Sequence, residues 1–179
     1  MPYQKKTSEN DNRKNSIFIS LLLIFVTASV YWQVQKFDFI NYDDNDYIYN
    51  NPHVQNGITA NAIAWAFTTA HASNWHPLTW MSHMLDSQMF GLWPGGHHLT
   101  SLFIHIANAL LLFSLFRKMT GDLWQSAFVG ALFASTPAYT IRRLVSERKD
   151  VLSAFFWMLT ILPTSDMFDD LAGPLTCGF

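Results

Sequence analysis

Two long apolar runs frame the chain. Residues 16–34, SIFISLLLIFVTASVYWQV, carry no charge and end near Tyr31 and Trp32. At about 1.5 Å of rise per residue such a run matches the hydrocarbon core of a bilayer, and the aromatic pair suits its interface. It predicts a transmembrane helix or signal-anchor. A cleaved signal peptide is the alternative, but the run exceeds an h-region of about 7 to 15 residues and no clean small-x-small site follows. The second run, residues 99–116, LTSLFIHIANALLLFSLF, is interrupted by His105 and Asn108 and closed by Arg117 and Lys118. His105 and Asn108 lie one helical turn apart, so they face other helices, as hydrogen-bonding partners or as ligands. A third segment, 123–141, predicts a transmembrane or re-entrant helix in which Gly130 and Ala134 form a small-residue packing face. A fourth begins over 151–162, about twelve residues and too short to span. Pro163 is expected to stop it, leaving 163–179 as a polar tail without periodicity.

Charge sets a topology on this pattern. Residues 1–15 carry Lys5, Lys6, Arg13 and Lys14 against Glu9 and Asp11 and read as a disordered basic tail. The positive-inside rule puts that tail and the Arg117–Lys118 end in the cytoplasm, with residues 35–98 as a periplasmic loop of an inner-membrane, multi-pass protein. Arg142, Arg143, Arg148 and Lys149 then fall on the outer side, against the rule. Either the third segment is re-entrant, or these cations serve an anionic ligand, or they form a solvated charge run. Composition agrees with a bilayer protein: 50% of residues are hydrophobic and only 13% charged, about half the charged share of a soluble domain. No basic stripe with interleaved aromatics is present, which argues against nucleic-acid binding. The single Cys177 excludes an intramolecular disulfide.

The outer loop concentrates the reactive side chains. It holds His53, His71, His76, His83, His97 and His98, and the acidic knot Asp43, Asp44 and Asp46. Thr59 predicts a cap for a short helix with Ile63, Ala64, Phe67 and Ala70 at helical spacing. Pro77 suits the first turn of a second, with Leu78, Met81, Met84 and Leu85 on one stripe. Both helices lie in the membrane interface or pack on the membrane helices. The expected fold is therefore all-α: polytopic membrane helices and a long outer loop bearing short amphipathic helices. Zinc is weakly signalled, since His76 and His83 stand two turns apart on one face but no HExxH occurs.

The segments FINYDDNDYIYNNPHVQNGIT, WAFTTAHASNWHPLTWMSHMLDSQMFGLWPGGHHLTSLFIHIANALLLFSLFRKMTG and SERKDVLSAFFWMLT resemble the amino-terminal membrane region of bacterial tetratricopeptide-repeat membrane proteins. Those are similar to the transmembrane and TPR repeat-containing O-mannosyltransferases of animals, and more distantly to other GT-C glycosyltransferases. The resemblance implies a membrane enzyme that moves a sugar from a polyprenyl-phosphate carrier to a hydroxyl on an acceptor protein. Two stretches depart from the pattern. Residues 135–144 lack a His-Pro, a further histidine and a glutamate, and nothing from Pro163 onward matches. Both have the form of a reading-frame slip or a truncated product, so the alternative is a non-catalytic membrane anchor or inactive remnant.

The resemblance places an acidic pair after the first membrane helix, which here is Asp43 and Asp44. A carboxylate there can take the proton of an attacking hydroxyl, the other orienting the acceptor or, as Asp44 with Asp46, holding Mg or Mn. An Asx-rich turn is the structural alternative. His76, His97 and His98 are candidates for substrate or lipid-phosphate contact, or for structural hydrogen bonds. Arg148 and Lys149, with Arg143 less directly, are candidates to hold the carrier phosphate. Trp75 and Trp80 would stack on sugar or anchor the loop at the interface.

Overall fold

The computed structural model describes residues 2–39, 45–71, 74–135, 145 and 147–172. No strand occurs among them, and the fold is all-α as the sequence predicts. Among the described residues seven α-helices follow in order: α1 Pro2–Tyr31, α2 Pro52–Gln55, α3 Ala60–Thr68, α4 Pro77–Phe90, α5 Pro94–Thr120, α6 Leu123–Ala134 and α7 Arg148–Ala172. A 3-10 turn, Trp32–Lys36, follows α1, and a single π turn, Asn45–Tyr49, precedes α2.

Two elements differ from the pattern read in the sequence. The basic amino-terminal stretch, expected as a tail over 1–15, is helical from Pro2, because Gln, Lys, Glu and Arg extend a helix once the apolar run has nucleated it. At the other end Pro163 does not stop the fourth segment: α7 runs through it to Ala172, a proline inside a helix that usually costs about 3 kcal/mol. The third segment, expected over 123–141, is helical to Ala134, and residues 136–144 lie outside the described part.

The chain divides into two compact units, the first comprising Met1–Ser29, His105–Thr136 and Ala154–Phe179. Its core is Ile19, Leu23 and Phe113, with Leu110, Leu123 and Ala127 packed around them. Gly130 is buried there because a Cβ would stand 3.2 Å from that of Phe113 and 3.4 Å from Leu23 Cδ1. His105 and Asn108 are both buried, and the His105 ring stacks on Phe133 at 5.1 Å. Around this core the surface is apolar. Phe18, Leu21 and Phe25 on α1, and Trp124, Phe128 and Leu132 on α6, are all more than half exposed. Water would not tolerate such faces, whereas lipid does. Asp11–Lys36 and Pro94–Thr120 are long and apolar enough to cross a membrane, whereas α6, about 18 Å long at 1.5 Å per residue, is not.

The second unit comprises Val30–Ile104 and Pro137–Ser153. Tyr47, Ile48, Val54, Ala62, Ala66, Trp80, Met84 and Val145 form its core. Local chemistry starts each helix. The Asn51 side chain accepts from the N–H groups of His53 and Val54, with Pro52 at the first position of α2. Thr59 Oγ1 accepts from Ala62 N–H at 3.1 Å, and Pro77 opens α4. Gly91 ends α4 at φ 61°, in the left-handed region that favours glycine. Gly95 and Gly96 begin α5 where a Cβ would strike the Gln35 carbonyl and the Phe90 ring, so two glycines let three segments converge.

Of the expected apolar stripes, only Met84 enters the core, with Met81 packed against it. In α3 the buried residues are Ala62 and Ala66, while Phe67 is half exposed. In α4, Leu78 and Leu85 face outward and Thr79, His83, Asp86 and Ser87 face inward beside Trp80 and Met84. Helix α4 is thus inverted relative to a helix on a water-soluble core, as suits an element whose outer side meets lipid or interface. A carboxylate on the exposed face of α1 tests the membrane assignment. Phe25→Asp should weaken bilayer insertion by about 3 kcal/mol, read as a rise in alkaline-extractable chain, whereas Phe25→Leu should insert normally.

Candidate functional site

The inward polar face of α4 meets the first turns of α5 and α7 within the second unit. At its centre stands Arg148, a wholly buried cation at a helix N-terminus, where the helix dipole opposes it. Its placement is therefore tertiary in origin. All five N–H donors are engaged: Nε to Ser101 Oγ (3.1 Å), Nη1 to Ser82 Oγ (3.1 Å) and Asp86 Oδ2, and Nη2 to His97 O (2.6 Å) and Ser101 Oγ (3.0 Å). Asp86 Oδ1 accepts from Thr100 Oγ1 at 2.8 Å, so both carboxylate oxygens are also bonded. Two full charges out of water are tolerable only with this degree of satisfaction.

Three histidines border the ion pair. His97 Nε2 lies 3.0 Å from the Gly91 carbonyl, and its Nδ1 lies 3.6 Å from Asp86 Oδ2. Its ring is edge-on to Phe39, and that of His98 is edge-on to Phe37. His83 is fully buried with neither ring nitrogen hydrogen-bonded among the described residues. Burial, and then the charge of Arg148, push its pKa well below 6.5, so the ring is neutral.

A second layer lies against the first. His76 stacks between Tyr47 (5.5 Å, interplanar 8°) and Trp80 (4.8 Å, 27°), and Trp65 meets Trp80 edge-on at 5.3 Å. His53 stacks on Trp65 at 4.7 Å, and His71 Nε2 donates to the Asp46 carbonyl at 3.1 Å. The buried nitrogens Nε2 of His76 and Nε1 of Trp80 have no hydrogen-bond partner among the described residues. His76 titrates below its usual value, first through burial and then through the positive charge of Lys149. Lys149 itself remains about one-third exposed, 3.7 Å from Glu147.

The fold separates the residues singled out in the sequence. His97 and Arg148 come together at the ion pair, with His98 beside them; Arg148 is spent on internal partners and presents no fork to solvent. His76 and Lys149 come close enough to feel one another's charge, and they keep an accessible edge. Asp43, Asp44 and Arg143 lie outside the described residues; Asp46 is described and exposed. Trp75 is two-thirds exposed, its Nε1 donating to Phe67 O at 2.9 Å, while Trp80 is buried. Asp86, Ser82 and Ser101 are not singled out by the sequence, and His83 is singled out there only as a weak zinc candidate with His76. The available signal was a lone carboxylate inside an apolar helix, which demands a cation from elsewhere in the chain.

These features define a helical membrane protein with a polar, histidine-rich site on its second unit. Over 103 residues, 55% of this chain, the sequence is 29% identical to Protein O-mannosyl-transferase TMTC2 of Homo sapiens and 28% identical to the Mus musculus protein of that name. The aligned stretch covers 12% of the length of each relative. No family model and no solved structure matches the chain.

Two tests follow from this geometry. Asp86→Asn and Arg148→Met should each destabilise the second unit by about 3–5 kcal/mol, because each leaves the other charge buried and unpaired. The double variant should cost clearly less than their sum in denaturant unfolding followed by Trp80 fluorescence. The second concerns pH. His83 is held neutral with a folded pKa below 6.5, so the unfolded chain binds more protons there. Stability is full above about pH 6.5 and falls as pH drops below it. His83→Gln should flatten that fall in thermal melts.

Proposed function

We propose that the chain is part of an integral-membrane sugar transferase of the O-mannosyltransferase type, acting on a polyprenyl-phosphate-linked sugar and a hydroxyl of an acceptor protein. The observation that carries the reading is the similarity over 103 residues to two proteins named for protein O-mannosyl transfer. The positive charge of Lys149, near enough to lower the His76 pKa beside an aromatic layer, adds chemical sense. A GT-C architecture, a periplasmic loop and a cytoplasmic amino terminus in an inner membrane belong to the same proposal.

In this mechanism Asp43 or Asp44 accepts the proton of the acceptor hydroxyl as its oxygen bonds to the sugar's anomeric carbon. The bond from that carbon to the carrier phosphate breaks, with inversion, and polyprenyl phosphate departs as the anion. Lys149 would meet that phosphate charge, with the half-buried His76 beside it as a second contact. Arg148 acts at one remove: by fixing Asp86, Ser82 and Ser101 it sets the position of Lys149 and of α4. Its assignment as a direct phosphate ligand gives way to this positioning role.

The test measures transfer of labelled mannose from mannosyl-phosphoryl polyprenol to a Ser/Thr peptide by membranes containing the chain. Asp43→Asn and Asp44→Asn should leave the amount of inserted protein unchanged, and the base variant should lower turnover by about 10²–10⁴-fold. Lys149→Gln should chiefly raise KM for the carrier. Transfer indifferent to all three substitutions would instead support a non-catalytic anchor.

A further inference from the structure

The closest grouping of metal-binding side chains among the described residues is not in the acidic loop. His83, Asp86 and His97 each offer one donor atom, these atoms lie within 4.8 Å of one another, and all three residues are buried. We propose that they form a binding site for a single divalent transition-metal ion of the zinc class.

Three observations carry this inference. The Gly91 carbonyl can only accept, so His97 Nε2 must donate to it. A neutral His97 therefore presents a bare Nδ1 lone pair to Asp86 Oδ2, 3.6 Å away, with no proton between two acceptors. Two ligands at 2.0–2.2 Å from a tetrahedral ion stand about 3.4 Å apart, close to the separation found. The backbone carbonyl on the far nitrogen is also the usual outer partner of a metal-bound imidazole.

The second observation is His83, wholly buried with both ring nitrogens unbonded among the described residues. An imidazole so placed forfeits the hydrogen bonds it makes in water unless something occupies the site. The third is that Asp86 is already fixed, with Thr100 on Oδ1 and Arg148 on Oδ2, so it needs no rearrangement to serve as the oxygen ligand. The neighbouring guanidinium weakens the pull on a dication, and two neutral imidazoles then decide selectivity. They favour zinc, cobalt or nickel over magnesium or calcium, which prefer all-oxygen shells. Two nitrogens and one oxygen leave a fourth position open.

The experiment uses the full chain in detergent micelles, stripped with a chelator, with the exposed His53 and His71 replaced by Ala to remove surface binding. Cobalt(II) serves as the probe. One ion per chain should bind with the intense visible absorption of a four-coordinate site, be displaced by zinc, and be unaffected by magnesium. His83→Asn and His97→Asn should each weaken cobalt binding by more than about tenfold, with helical circular dichroism unchanged. Should either substitution unfold the chain, X-ray absorption of the zinc-loaded His53→Ala, His71→Ala chain decides the question. Two imidazole nitrogens and at least one oxygen at about 2.0–2.2 Å support the site. Failure to bind cobalt, equal binding by both asparagine variants, or a zinc shell without two imidazoles overturns it.

Discussion

A buried guanidinium and a buried carboxylate, Arg148 and Asp86, fix the geometry of the second unit. Each would be intolerable alone, since an isolated charge in a low-dielectric interior costs several kcal/mol even after relaxation. Together with Ser82, Ser101, Thr100 and the His97 carbonyl they form a closed network. The network joins three helices that are remote in sequence: the middle of α4, the opening of α5 and the opening of α7. Because all five guanidinium donors and both carboxylate oxygens are spoken for, the arrangement has little freedom to slide. It fixes which face of α4 turns inward, and hence where His83 and the neighbouring aromatic layer stand.

That choice of face explains the inverted character of α4. A helix that buries Thr79, His83, Asp86 and Ser87 while exposing Leu78 and Leu85 would be unstable on a soluble domain. Beside a membrane both halves of the pattern become favourable: the leucines meet an apolar medium and the polar groups find one another inside. The lipid-ready faces of α1 and α6 place the chain in that same medium. Function then follows from segregation. In one polar layer the Arg148–Asp86 pair is fully bonded while His83 and Nδ1 of His97 keep hydrogen-bonding capacity to spare among the described residues; the other layer, with His76, Trp80 and Lys149, also keeps unpaired nitrogens and has Lys149 partly exposed. Ligand chemistry belongs where hydrogen-bonding capacity is left over.

The helical content was legible because long apolar runs in a bilayer satisfy their backbone as helices, and the Thr59 cap and the Pro77 first turn follow from backbone chemistry alone. The inward faces of α3 and α4 were not legible from periodicity. An apolar stripe marks the core only when the surroundings are water, and here the stripe of Leu78 and Leu85 marks the outside. Lys149 and His76 were legible as candidates, but their proximity depends on long-range packing. Arg148 illustrates the same gap: its type and its flanking charges suggest a phosphate ligand, whereas Asp86, sixty-two positions earlier, claims it. A lone Asp in an apolar helix and a wholly buried Arg at a helix start are each a local conflict. Only the fold shows that they resolve one another.

Native-state amide exchange on the Arg148→Met chain tests the central claim most directly, because it reads which backbone segments the network holds. Loss of the guanidinium should lower protection together in α4, in the first turns of α5 and in the opening of α7, while α6 in the other unit keeps its protection. Unchanged protection in α4 would contradict the account, for it would mean that packing of Trp80 and Met84 alone orients that helix and that the ion pair is a passenger.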